Sequence, residues 1–306
     1  MKFSLSPKRF LTAILLPAYF AFALISAPAA AEGPTGPAGP ALWKLTDHDS
    51  EIWLFGTVHI LDPNLSWHSQ RVTDAFETAD IVYFEIPSDP ETDQQVQALI
   101  PKYGLNPPGV SLSSLLSEAG KQHFAAALQS LGMPATATAN FEPFRPWLAG
   151  VSVAAIQMQA RGLDPEAGVE KILTKAAVKA GKSLAFLETP EQQLALFGNL
   201  SSATEVAFFE EGMRQLVEDP DALDDITADW AVGNAAGVGK KLQEAMDDPV
   251  LYAALLTDRN ENWAAQIKKM MDGSGKIFIA VGAGHLAGKG SVQDYLASYQ
   301  LKAVRQ

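Results

Sequence analysis

Two short apolar runs near opposite ends of the chain each lead into a glycine turn that carries a histidine. Ile52-Trp-Leu-Phe55 runs into Gly56-Thr-Val-His59, and Ile277-Phe-Ile-Ala-Val281 runs into Gly282-Ala-Gly-His285. Runs this short and this apolar read as strands buried on both faces, the kind found in a parallel sheet covered by helices. Two further runs complete the set: Ile81-Val-Tyr-Phe84 before Glu85, and Leu184-Ala-Phe-Leu187 before Glu188. Between the Ile52 and Ile81 runs lies a helix beginning at Ser66, with Val72, Phe76 and Ala79 on one face. Strand, helix, strand is the right-handed crossover unit of an α/β fold.

The rest of the chain fits around those runs. Ala41–Leu45 and Ile52–Phe55 flank the polar turn Asp47-His-Asp-Ser50 and read as a hairpin. From about Asp89 to Gly275 the apolar spacing is mostly three and four, a helical pattern broken only by the Leu184 run. Asp164-Pro-Glu reads as a helix start, and Thr189-Pro-Glu-Gln192 combines a capping box with proline in the first turn. One long helix is expected over Pro249–Met271, with Leu256, Asn260, Trp263, Ile267 and Met270 on one face, and a closing strand around Leu301–Val304. The expected fold class is α/β: a small mixed or parallel sheet with a large, mostly helical insertion over about 89–275.

Residues 1–31 stand apart. Lys2, Lys8 and Arg9 precede an apolar stretch from Phe10 to Ile25, and Ala29-Ala-Ala31 offers a cleavage site, the pattern of a secretory signal peptide. A Pro/Gly tether over 32–40 follows, and the folded domain is expected over 41–306. With no cysteine there is neither a disulfide nor a lipid-anchored cysteine, so a periplasmic or secreted location without stable membrane insertion is expected. Loss of the signal leaves 20 basic against 35 acidic side chains, a net −15. Such a surface disfavours nucleic acid and anionic lipid. It accommodates cations, peptides or neutral small molecules, and composition does not set the oligomeric state.

All four apolar runs therefore end at an ionisable side chain: His59, Glu85, Glu188 and His285. In an open parallel sheet, ligands bind beyond the carboxyl ends of the strands. Two imidazoles and two carboxylates gathered there suit a divalent cation, with Mn, Co, Zn and Fe not distinguished, and leave room for water. His59, Glu85 and His285 are the candidate metal ligands. Glu188, or Glu85 if it is not a ligand, is the candidate general base, although a carboxylate ahead of a helix N-terminus is also favoured by the dipole alone. Arg259-Asn260 is the other notable pair. Asn260 falls on an apolar helix face and needs a partner, either a neighbouring helix or a ligand histidine or substrate carbonyl. Gly282-Ala-Gly-His-Leu-Ala287 fits a dinucleotide fingerprint, but too little chain follows it to supply the ribose-binding acid. Arg145-Pro-Trp147 reads as a loop-to-helix junction or a cleft edge. His48, His68 and His123 read as solvated.

Together Leu54-Phe-Gly-Thr-Val-His59, Ala79-Asp-Ile-Val-Tyr-Phe-Glu85, Leu187-Glu-Thr-Pro-Glu-Gln192, Arg259-Asn260 and Val281-Gly-Ala-Gly-His-Leu286 resemble the TraB/GumN family, related to the Tiki metalloproteases. The resemblance runs from about Ala41 to the C-terminus. It implies an EreA/ChaN-like, Tiki-like architecture, a divalent metal at a paired Gly-x-x-His site, and peptide-bond hydrolysis. It carries over to His59, Glu85 and His285 most directly, and to Arg259 and Asn260 as further site residues. In the expected hydrolase the first three would bind the metal, and Arg259 or Asn260 would stabilise the developing oxyanion. The expected function is an exported metal-dependent hydrolase acting on a peptide or small molecule. The alternative is a non-catalytic periplasmic protein that binds haem, metal or peptide through the same histidines.

Overall fold

The computed structural model describes residues 39–306; the expected signal peptide and all but the last two residues of the tether lie outside the described residues. Six strands form one sheet: β1 Leu42–Thr46, β2 Ser50–Thr57, β3 Ile81–Phe84, β4 Ser183–Phe186, β5 Gly275–Gly282 and β6 Val304–Arg305. Their order is β4-β3-β5-β2-β1-β6. The four strands β4, β3, β5 and β2 run parallel, while β1 and β6 add antiparallel at one edge. The fold is therefore α/β with a mixed sheet, and the four apolar runs are its adjacent parallel strands.

Alternation along β5 shows why these strands are apolar throughout. Phe278 and Ala280 enter a core with Phe55, Val82, Phe84 and Trp147, whereas Ile277, Ile279 and Val281 enter a second core with Leu54, Trp263, Ile267 and Leu296. Helices Asp258–Met271 and Val292–Ser298 cover that second face. The helices before and after β4 cover the first, and they enclose a third core of their own around Phe124, Phe141 and Phe209. Helix Pro146–Ala160 joins the two: Leu148 and Val151 face the sheet, Ala149 and Val153 the insertion's own core. Arg145 sits at the loop-to-helix junction, its guanidinium paired with buried Glu205 and donating to the carbonyls of Tyr103 and Gly198. It is a structural group and not a cleft edge.

Four elements differ from the sequence reading. The first crossover helix begins at Gln70 and not at Ser66, because Trp67 turns inward to pack on Phe55 and Trp230. The expected helix at Asp164 is a short 3-10 turn, and the α-helix starts only at Val169, after Gly168. The closing strand is reduced to Val304–Arg305, since Gln300, at φ 63°, reverses the chain after the last helix. The helix expected over Pro249–Met271 widens into a π turn at Ala253–Thr257, immediately before Arg259 and Asn260. Such bulges occur often where a helix re-aims functional side chains.

Candidate active site

The two Gly-x-x-His turns are neighbours. Gly56 pairs with Val281 and Thr57 with Gly282 at the carboxyl ends of β2 and β5. A Cβ on Gly56 would stand 3.1 Å from the Cα of Ala283. The first motif glycine thus allows the second motif's backbone to pass, and Trp230 Nε1 fixes its carbonyl at 2.7 Å. Glu85 and Glu188 arrive from the ends of β3 and β4, held side by side by Glu188 N–H donating to Glu85 O at 2.8 Å.

Arg259, 3% exposed, is the hub. Its Nε donates to Glu188 Oε1 at 2.9 Å, and its Nη2 donates to Glu85 Oε2 at 2.6 Å and Glu188 Oε2 at 2.8 Å. Its Nη1 donates to Leu255 O at 3.2 Å and lies 2.9 Å from His285 Nε2. That nitrogen must accept, so the proton of His285 is on Nδ1, which faces Asn260 Oδ1 at 2.6 Å; Asn260 Nδ2 then donates to Gly290 O at 2.7 Å. The amide on the apolar helix face therefore orients a histidine, one of the two alternatives for Asn260, and both its ends are engaged. Burial first, and Arg259 second, hold His285 well below the ordinary imidazole range, in keeping with a neutral ring.

Glu85 is ionised despite its position. Burial opposes its charge, but Arg259 above all, then His285, His59 and the Gly282 N–H at 2.7 Å, hold it down to about 2. Two residues that the sequence reading missed complete the network. Gln193 donates to Glu85 and Glu188 at 3.0 and 3.1 Å, and Trp263 Nε1 donates to Glu188 at 3.1 Å. Both Glu188 oxygens thus accept hydrogen bonds, and Glu188 serves as a counter-ion for Arg259.

His59 has its own support, also missed. Its Nδ1 lies 2.7 Å from Glu170 Oε1, an oxygen that also accepts from Thr57 Oγ1. Glu170 comes from the insertion, in the first turn of helix Val169–Lys179. Burial opposes a charge on His59, but the charge and hydrogen bond of Glu170, with Glu85 behind, raise it to about 9. His59 Nε2 and Glu170 Oε2 are both buried and have no hydrogen-bond partner. Hydrogen-bonding groups so placed are rare and mark a missing partner.

These atoms bear on the divalent ion the resemblance implies. Each histidine has Nδ1 fixed by an oxygen, Glu170 or Asn260, which turns Nε2 inward; a ligating histidine is usually held that way. Glu85 Oε1 lies 3.9 Å from His285 Nε2. The donor set fits a divalent cation held by His59, His285 and Glu85, provided Arg259 Nη1 withdraws from His285. The three do not close on one point: among the described residues, the group of three potential ligands that all lie within 4.8 Å of one another is Asp47, His48 and Asp49 in the exposed hairpin turn. Of the other histidines, His68 is exposed and stacks on Trp67, and His123 is half-buried.

A model of the TraB/PrgY/gumN family matches residues 41–304. The chain belongs to that family. The match spans the sheet as far as Val304 and the insertion, so both histidine turns, both carboxylates and the Arg259 hub lie within the TraB/PrgY/gumN region. No curated protein compared with the chain matches it. Among the described residues no helix is long and apolar enough to cross a membrane.

Proposed function

We propose that this TraB/PrgY/gumN protein is an exported metal-dependent hydrolase that acts on peptides. The observation that carries the reading is the buried, unpartnered Nε2 of His59, its opposite nitrogen fixed by Glu170, beside a pre-ordered Glu85–Arg259–His285 network. His59, His285 and Glu85 would hold the ion, which when bound would supply Lewis acidity toward a carbonyl oxygen and toward water. The reaction adds water across the amide: a C–O bond forms, the C–N bond breaks, and the proton released by water leaves on the amine. Asn260 holds the neutral His285 ring in one tautomer, and Glu170 fixes the orientation of His59, whose Nε2 would give up its proton on binding the ion. Arg259 places a positive charge beside His285, where negative charge on a carbonyl oxygen would be stabilised. Glu85 and Glu188 hold the guanidinium in place. Export rests on the N-terminal charge and apolar pattern, and the peptide class rests on the resemblance to the Tiki proteases.

The alternative haem-binding reading meets a size limit. The cavity lined by His59 measures about 60 Å³, whereas ligand pockets for even drug-sized molecules run to roughly 300–1,000 Å³. The test of the hydrolase is direct. Protein loaded in turn with Mn, Co and Zn is incubated with a mixed peptide library, and new termini are read by mass spectrometry. Cleavage that a chelator abolishes and that His59→Ala and His285→Ala both lose supports the reading. Cleavage that survives both substitutions would sink it.

A further inference from the structure

The cavity beside His59 has a character of its own. Its walls are mainly Met158, Ile226, Val238 and Leu242 from the insertion, and it is closed by His59 and Gly284, one from each histidine turn. At about 60 Å³ it has room for about four to six water-sized atoms, since one water takes roughly 10–15 Å³ on that measure. Water gains little there: it needs two to four polar partners, and most of the lining is hydrocarbon or thioether, with Thr57, His59 and Thr227 the polar side chains. A branched aliphatic group of about three or four carbons matches both the volume and the walls, and a benzyl side chain, with about seven, exceeds the volume.

We propose that this cavity is a specificity pocket that receives an aliphatic side chain of the substrate, of valine, leucine or isoleucine size, next to the reacting carbonyl. Calling the occupant a substrate side chain rests on the hydrolase reading; the preference for an aliphatic group rests on the cavity alone. The insertion then has a chemical task besides covering the sheet. Helices Ala222–Ala231 and Ala235–Ala245, which carry Ile226, Val238 and Leu242, set which residue can sit beside His59.

Binding tests the pocket without requiring turnover. The full chain is titrated, by NMR, with N-acetyl-leucinamide, N-acetyl-phenylalaninamide and N-acetyl-glycinamide, and so are Leu242→Ala, which enlarges the cavity, and Val238→Ile, which fills it. The expected result is leucinamide binding at least about tenfold tighter than the other two, in line with the 10- to 200-fold that a methylene confers in an apolar pocket. Val238→Ile should weaken it, and Leu242→Ala should shift preference toward phenylalaninamide. Equal binding of all three by wild type overturns the pocket, whatever the variants do and even if peptides are cleaved. Leucinamide preference without any peptide cleavage supports the pocket and removes the hydrolase. Peptide cleavage with no aliphatic preference in its sites does the reverse.

Discussion

Arg259 shows how much of this site is electrostatic. A guanidinium that is 3% exposed faces two carboxylates and a neutral imidazole. Removing one partner of such a buried set leaves the others charged and unpaired, which typically costs about 3–5 kcal/mol. Arg259→Met should therefore lower the unfolding free energy by about that amount in a denaturant titration, far more than a surface arginine substitution. Glu170 acts on a single bond. Glu170→Gln keeps the side chain's shape but removes the charge that fixes the imidazole of His59, and loss of such a supporting group costs about 10- to 100-fold in metal affinity. Calorimetric titration should show that loss, together with a lower unfolding midpoint, because His59 also loses its paired charge on Glu170. The four strand-end residues were legible because an apolar run followed by one ionisable side chain is a local pattern. Asn260 was legible because an amide on an apolar face demands a partner. Glu170 was not: it sits in Val169-Glu-Lys-Ile on an amphipathic helix, where a charge looks solvated, and Thr57, with which it bonds, is 113 positions away.

At the scale of elements, the histidine turns are fastened to the insertion by backbone contacts. Val169 N–H donates to Val58 O at 3.0 Å, and Leu61 and Asp164 exchange hydrogen bonds, so both sides of His59 are held. Gly168 lies directly against the carbonyl of His59, where any Cβ would collide with it. The second turn repeats the device, since a Cβ on Gly239 would collide with the backbone of Gly288. Gly168→Ala should displace the His59 loop at an overpacking cost of about 1–3 kcal/mol, and it should weaken metal binding while leaving the distant third core intact. Tryptophan fluorescence and metal titration on the same sample would read both effects. The helix expected at Asp164 failed for this reason. Asp164 and Pro165 do give a start signal, but the approach of His59 imposes a 3-10 turn and a glycine before the α-helix can begin. Local capping rules do not carry that long-range contact.

For the whole molecule, the parallel sheet brings residues from distant parts of the sequence to one edge, and the insertion closes over them. The α/β class and the four apolar strands were legible because both follow from run length and periodicity, whereas their order in the sheet was not read. The packing of the insertion was not, because helices such as Pro146–Ala160 are buried on all sides and present no single face to read. The charge network also links the fold to acid. Glu85 is held at about 2, below the ordinary 4.5, so its stabilising contribution is complete above pH 4.5 and is lost as the pH falls from 4.5 toward 2. Acid titration of wild type beside Glu85→Gln should show a steeper loss of stability for wild type in that window. The central claim is that two histidines from opposite ends of the chain hold one divalent ion. Isothermal titration of metal-free protein with Mn, Co and Zn, beside His59→Ala and His285→Ala, tests it most directly. One ion per chain in wild type, lost in both variants while each keeps a native unfolding transition, is the expected result. No binding by wild type, or equal binding by both variants, would contradict it.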